Sequence, residues 1–141
     1  MKTKVIIGGV IVAWVAFWAI VKPGENVAQA PEAPTAAIVD IQIPDILTET
    51  AQIGQRMFDA KCAQCHGPNA TGQRDVAPPL VHRIYEPSHH GDEAFQRAVS
   101  VGVPQHHWPF GNMPPVEGLT RGDVSLIIGY IRELQRANGI N

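Results

Sequence analysis

Apolar residues recur at helical spacing in three segments of the chain, and no segment shows the alternation of a half-buried strand. The first pattern follows Thr48, whose hydroxyl suits an N-cap, and predicts a helix that runs to the Cys62 region. Its apolar and small positions are Ile53, Gly54, Met57, Phe58 and Ala60. The second pattern predicts a helix that starts at Asp92 as N-cap and stops at Gly102. Its apolar face consists of Phe95, Ala98 and Val99.

The third pattern predicts the last helix, which opens at Thr120 and ends at Gly139. Asp123 follows Thr120 by three residues, the spacing of a capping box. The apolar positions of this helix are Val124, Ile127, Ile128, Ile131 and Leu134. Residues 67–80 and 103–119 are rich in glycine and proline, which indicates loops. Together these patterns predict an all-α domain of three to four helices.

Residues 5–21 form an uncharged apolar run, which predicts a transmembrane helix at the N-terminus. Lys2 and Lys4 precede the run, which favours a cytoplasmic N-terminus and a globular part on the other side of the membrane. A cleaved signal peptide is the alternative, because Ala28-Gln29-Ala30 has the small-x-small pattern of a cleavage site. Pro31 would then be the first mature residue, which signal peptidases disfavour, so we expect the run to stay as an anchor.

The chain divides into three parts of different composition. Residues 1–22 are the predicted anchor or uncleaved signal, residues 23–45 are a Pro/Ala-rich tether, and residues 46–141 are the folded domain. Three isoleucines near the end of the tether are expected to pack on the domain surface: Ile38, Ile41 and Ile43. The folded domain carries eight basic and nine acidic side chains, without the basic stripe that nucleic-acid binding requires.

The chain has two cysteines, which lie in Cys62-Ala63-Gln64-Cys65-His66. This C-x-x-C-H pattern is typical of covalent c-type haem attachment. Two thiols one helical turn apart can each add to a haem vinyl group, and the next residue then places an imidazole at the iron. A redox dithiol is one alternative, although it usually occurs in a βαβ context. A zinc site is the stronger alternative, with His89-His90 or His106-His107 as the second pair of ligands.

Haem iron in electron carriers commonly takes a methionine from a distant loop as its second axial ligand. Met113 lies in Gly111-Asn112-Met113-Pro114-Pro115, where two prolines stiffen the loop. Met57 instead lies on the apolar face of the first predicted helix, where core packing explains it. The predicted axial ligands, and therefore the metal ligands, are His66 and Met113.

Residues from about Thr48 to Asn138 resemble the class I, mitochondrial-type monohaem cytochrome c family, in a membrane-anchored bacterial form. The features that carry the resemblance follow in the family's order. They are Gly54 and Phe58, the Cys62-x-x-Cys65-His66 motif, Ala77-Pro78-Pro79-Leu80, Met113-Pro114, and Tyr130-Ile131-Arg132-x-Leu134. The resemblance implies one haem c, bound covalently through Cys62 and Cys65, in a class I cytochrome c fold.

The resemblance also implies roles for individual residues. Gly54 is expected to allow the first and last helices to cross closely, with Phe58 and Tyr130 packed together at the crossing. The carbonyl of Pro78 is expected to accept a hydrogen bond from Nδ1 of the proximal histidine, which sets its tautomer and orientation. Leu80 is expected to line a face of the haem.

Trp108 and Phe110 precede the predicted axial methionine and are assigned to the haem site. In one interpretation they form an aromatic wall of the haem pocket. In the other, Nε1–H of Trp108 donates a hydrogen bond to a haem propionate, since a buried indole usually finds a partner.

The chain has more histidines than one haem requires: His82, His89, His90, His106 and His107. Most exposed histidines have no role beyond making the protein surface polar. This is the favoured interpretation of these five residues. Two adjacent pairs flank the second predicted helix, however, which suggests a second metal site for an ion such as copper. The corresponding alternative function is that of a haem-containing subunit or docking module of a larger, copper-containing oxidase complex, with a histidine-based second metal site.

The predicted function is one-electron transfer between a redox protein donor and acceptor, without a small-molecule substrate, so the protein is not expected to be an enzyme. The predicted location is the bacterial inner membrane, with one span at residues 5–21 and the haem domain in the periplasm. A catalytic haem protein is an alternative that requires an open sixth position at the iron. A gas or redox sensor is another, although the chain offers no output domain.

Overall fold

Four α-helices provide the regular structure of residues 37–141, which is the part of the chain described by the computed structural model. They are α1 (Glu49–Lys61), α2 (Ala63–His66), α3 (Asp92–Val101) and α4 (Arg121–Ala137), with 3₁₀ turns at Pro68–Ala70 and Arg83–Tyr85. In this range β-pairing is limited to two isolated bridges, Gln73 with Ala77 and Val103 with Met113. The prediction of an all-α domain is confirmed for these residues.

Side chains cap two of the helices as the sequence predicts. The Thr48 hydroxyl accepts the N–H of Ala51 at 3.3 Å at the start of α1. At the start of α4, the hydroxyl of Thr120 accepts the N–H of Asp123, and the Asp123 carboxylate accepts the N–H of Thr120 at 2.8 Å. This reciprocal pair confirms the capping box. The N–H and the hydroxyl of Thr120 both donate to the Asp123 carboxylate, and these two hydrogen bonds lower the pKa of that carboxyl.

The predicted N-cap of α3 is wrong by one residue. Gly91 is the N-cap, and Asp92 is the first residue inside the helix. A carboxylate in the first turn is favoured by the positive end of the helix dipole. Asp92 also accepts a hydrogen bond from Nε of Arg132 on α4 at 3.0 Å, so its side chain faces α4 and leaves its own helix terminus uncapped.

Helices α1 and α4 cross closely and form the centre of the core. A Cβ atom placed on Gly54 would lie 2.0 Å from the carbonyl oxygen of Leu126, so only glycine allows this approach. Next to the crossing, the rings of Phe58 and Tyr130 pack with their centroids 5.7 Å apart. The predicted apolar stripe of α4 is buried, as are Ala51 and Phe58 on α1. The expected close crossing and the Phe58–Tyr130 contact are therefore confirmed.

Ile53 does not belong to the buried face of α1, contrary to the predicted stripe. Its side chain is 37 % exposed. Ala51, Gly54 and Phe58 have the helical spacing that faces α4, and Ile53 lies off this line. Met57 packs against the core as expected.

The end of the predicted tether lies against the domain. The backbone N–H groups of Ile38 and Val39 donate to the carbonyl of Thr71 at 3.1 and 3.3 Å. The side-chain amide of Asn138 accepts from the N–H of Gln42 at 2.7 Å and donates to its carbonyl at 2.8 Å. Ile41 packs on the core, as predicted, but Ile43 is 52 % exposed. The predicted packing of Ile43 is therefore wrong.

The predicted transmembrane helix at residues 5–21 lies outside the described residues. Among residues 37–141, no helix combines the length and the apolarity that a membrane span needs.

Two buried polar side chains on α4 hold the segment between the second 3₁₀ turn and α3. The guanidinium of Arg132, 7 % exposed, donates to the carbonyls of Tyr85 at 2.7 Å and of His90 at 2.6 Å. Nε2 of the fully buried Gln135 donates to the same Tyr85 carbonyl at 3.0 Å. Because these donors replace water at buried carbonyls, they fix the path of this segment.

Candidate functional site

The cysteine motif begins where α1 ends. Cys62 separates α1 from the short helix α2, and its carbonyl accepts the N–H groups of Cys65 at 3.1 Å and His66 at 2.9 Å. The motif therefore forms one helical turn, which places the two sulfur atoms on consecutive levels of a helix. Cys62 is half-buried and Cys65 is exposed, and no disulfide joins them. This is the arrangement that addition to two vinyl groups of one flat ligand requires.

His66 is oriented by a single hydrogen bond. Its ring is 8 % exposed, and Nδ1 lies 2.8 Å from the carbonyl oxygen of Pro78. Because a carbonyl can only accept, Nδ1 carries the proton and Nε2 keeps a free lone pair. Burial lowers the pKa of His66, and the hydrogen bond to Pro78 opposes this effect. A neutral imidazole with Nε2 available is the form that binds iron.

The loop after the motif brings Pro78 to His66. Gly72 has a φ of +76°, and its N–H donates to the carbonyl of His66 at 2.7 Å. A Cβ atom on Gly72 would lie 2.6 Å from the nitrogen of Pro79, so glycine is required for these two parts of the loop to approach each other. The N–H of Leu80 then donates to the carbonyl of Ala70 at 2.8 Å. Hydrogen bonds therefore hold the loop on both sides of Pro78, whose carbonyl is the predicted acceptor for His66.

The chemistry of the thiols separates the motif from a redox dithiol. Burial, with a smaller contribution from the neighbouring Cys65, raises the pKa of the Cys62 thiol to about 11. Reactive dithiols have lowered thiol pKa values and occur on α/β folds, whereas this thiol is protonated at neutral pH. The zinc alternative also fails, because within residues 37–141 the histidine pairs cluster with each other and not with the cysteines.

Met113 lies at one end of a loop whose two ends are hydrogen-bonded to each other. Its backbone exchanges two hydrogen bonds with Val103, each 2.9 Å long. Inside the loop, Oδ1 of Asn112 accepts the N–H of Gln105 at 2.8 Å, and Oε1 of Gln105 accepts the N–H of Gly111 at 3.0 Å. The side chain of Met113 is half-buried. The predicted ligand therefore lies on a braced loop, as the two prolines indicate.

Trp108 offers a buried hydrogen-bond donor that has no acceptor among residues 37–141. Its ring stacks on Phe110 with an interplanar angle of 11° and meets His82 edge-on. Burial raises the pKa of Tyr85 to about 12, and the nearby Trp108 opposes this rise, although its Nε1–H forms no hydrogen bond within residues 37–141. A buried unpaired N–H costs about 1–3 kcal/mol. An acceptor on a bound group would remove this cost, so the residues present fit a ligand with carboxylates.

Four of the five remaining histidines lie together. Nitrogen atoms of His89, His90 and His107 lie within 4.8 Å of one another, and the ring of His106 is 4.3 Å from that of His107. Partial desolvation and the neighbouring His106, His90 and His89 lower the pKa of His107. His82 does not belong to this group.

Arg132 and Gln135 are buried polar residues that the hydrophobic pattern did not predict. A signal for them exists, because they lie four and seven residues after Ile128 and so share its buried face. A polar residue on such a face has to find partners, and here the partners are the carbonyls of residues 80–90.

The cytochrome c family model matches residues 51–135, from the first turn of α1 almost to the end of α4. The match spans more than half of the chain and includes the whole cysteine motif, Pro78 and Met113. Among curated proteins, none matches the chain. Cys62 and Cys65 attach one c-type haem covalently, and the chain belongs to the cytochrome c family.

Proposed function

We propose that this protein is a membrane-anchored, class I monohaem cytochrome c that shuttles single electrons between redox proteins, with His66 and Met113 as axial ligands. The hydrogen bond from His66 Nδ1 to the carbonyl of Pro78, 2.8 Å long, carries the proposal. It leaves Nε2 free on a buried, rigid ring directly after the two attachment cysteines. Haem supplies reversible Fe(III)/Fe(II) chemistry when bound, and the protein holds its ligands in place.

Met113 supports the proposal as the second ligand. Of the two methionines in residues 37–141, Met57 packs against the core and Met113 lies half-buried on the braced loop. A thioether on a loop of fixed shape stays in place when the iron changes its oxidation state. Imidazole and thioether together favour Fe(II) and raise the reduction potential, which suits an electron carrier.

The test of the ligand pair compares two methionine variants. Met113→Ala should keep the haem attached but lose the low-spin His/Met spectrum and lower the potential. Met57→Leu is the matched control and should keep both, because it replaces one core side chain with another of similar volume. If Met113→Ala is spectrally silent, a histidine is the sixth ligand. A high-spin spectrum of the unaltered protein would favour a catalytic haem protein instead.

Anchoring at residues 5–21 and a periplasmic haem domain also belong to the proposal. The support is the uncharged apolar run behind two lysines, together with the covalent haem, since c-type haem is attached outside the cytoplasm. Membrane fractionation with a high-salt and carbonate wash tests this part. Release of the protein with an N-terminus at Pro31 would show that the run is a cleaved signal.

A further inference from the structure

We propose that His89, His90 and His107 form a second metal site, distinct from the haem, that binds one divalent transition-metal ion, Cu(II) or Zn(II). One nitrogen from each ring lies within 4.8 Å of the others. Metal–nitrogen bonds of about 2.0–2.1 Å place the nitrogens of a tetrahedral site about 3.4 Å apart. Since His89 and His107 are exposed, small rotations of their side chains are enough to reach this distance.

The half-buried His90 is held in a form that is ready to bind a metal. Its Nδ1 lies 2.6 Å from the carbonyl oxygen of Ile84, so Nδ1 donates and Nε2 keeps its lone pair. Metal-binding histidines usually donate their other ring nitrogen to a carbonyl in this way. The carbonyl of His90 in turn accepts from the buried guanidinium of Arg132 at 2.6 Å. Helix α4 therefore fixes the backbone of His90 through the side chain of Arg132.

The other two histidines come from two separate loops. The N–H groups of His89 and His90 both donate to the carbonyl of Glu86, which forms a tight turn before α3. His107 lies in the loop closed by the two hydrogen bonds between Val103 and Met113. A bound ion would link the two loops, and such a link exists only in the folded protein. Metal binding should therefore stabilise the folded state.

The donor set selects the type of ion. The group in the described residues consists of three imidazoles and contains no carboxylate. Imidazole suits copper and zinc, whereas Mg²⁺ and Ca²⁺ prefer oxygen ligands. Nδ1 of His106 donates to the carbonyl of Pro104 at 2.9 Å, so its Nε2 also keeps a lone pair. His106 or a water molecule can complete a four-coordinate site.

The experiment uses the haem-loaded full chain, purified without a polyhistidine tag. Calorimetric titration with Zn(II), and separately with Cu(II), should show one equivalent bound and a rise in Tm. His89→Ala and His107→Ala should each weaken binding roughly 10–100-fold or more. His82→Asn is the control, because it removes a histidine outside the group and keeps an acceptor for the N–H of Ile84. It should bind the metal as the unaltered protein does.

The haem spectrum and the copper signal separate this site from the haem. The haem bands should not change when the metal is added, because the ion does not replace an axial ligand. Cu(II) bound to the unaltered protein should show electron paramagnetic resonance splitting from imidazole nitrogens, a readout that needs no variant. Absence of stoichiometric binding, or binding that persists in the His89→Ala/His107→Ala double variant, would overturn the proposal.

Discussion

Replacing Gly54 with alanine should destabilise the folded protein through a clash at the crossing of α1 and α4. The added Cβ would lie 2.0 Å from the Leu126 carbonyl oxygen and 3.1 Å from Cβ of Tyr130. Because the first obstacle is backbone, no side-chain rotation relieves it, and the helices have to separate by about 1 Å or more. Overpacking of this kind costs about 1–3 kcal/mol even after local shifts. The helix propensity of alanine returns at most about 1 kcal/mol.

Gly129→Ala is the matched control. Gly129 lies in the middle of α4, and an added Cβ there meets nothing within 4 Å. This variant gains the same helix propensity, about 1 kcal/mol, without the clash. The gain cancels in the comparison, so the difference in unfolding free energy between the two variants isolates the clash, and we expect it to be about 1–3 kcal/mol. The effects on the unfolded chain are nearly the same in both variants and cancel.

Guanidinium unfolding of the haem-loaded proteins, followed by far-ultraviolet circular dichroism and by the haem absorbance, measures this difference. A change of 1 kcal/mol corresponds to a Tm shift of about 4–8 °C for a domain of this size, so thermal unfolding resolves it as well. If Gly54→Ala is as stable as Gly129→Ala, the close crossing does not limit the residue at position 54.

Three further predictions concern buried polar groups. Arg132→Leu should lower the unfolding free energy by roughly 2–4 kcal/mol, because the carbonyls of Tyr85 and His90 lose their charged donor, and an unchanged urea midpoint would contradict this. Burial raises the pKa values of both Tyr85 and Tyr130 to about 12, so the unfolded chain releases these protons first, near pH 10. The stabilisation from these two hydroxyls should therefore be fully present below about pH 10 and be lost between about pH 10 and 12. Denaturation midpoints measured across this range should show the fall, and it should be smaller in Tyr85→Phe. Trp108→Phe keeps the stacking on Phe110 but removes the unpaired indole donor. If that donor bonds to a haem propionate, the variant should have a lower reduction potential in a spectroelectrochemical titration. An unchanged potential would favour the interpretation of Trp108 as an aromatic wall of the haem pocket.

Local chemistry made several features of this protein predictable from sequence. The C-x-x-C-H motif needs only five consecutive residues, because one helical turn sets the distance between its thiols and the histidine. The capping box at Thr120 and Asp123 and the cap at Thr48 are equally local, since each satisfies N–H groups within the same turn. The apolar stripe of α4 was predictable because only one face of an amphipathic helix can be buried.

Features that depend on contacts between distant segments were decided by the tertiary structure. Helical period alone did not show that Ile53 would be exposed, because the position of α4 determines which edge of α1 is covered. The sequence pattern predicts Asp92 as an N-cap, yet in the structure its side chain faces Arg132. Patterns of neighbouring residues cannot predict this, because the charged partner lies on another helix.

The histidines show the same division most clearly. Their number and pairing are evident in the sequence, and a surface role is then the natural expectation. Only the fold brings His89 and His90 within reach of His107, across a helix and a loop that separate them in the chain. The physical reason is that Arg132, buried on α4, holds one loop in place, while the Val103–Met113 bridge closes the other. A sequence lists the ligands that a metal needs, but long-range packing decides whether their nitrogens meet.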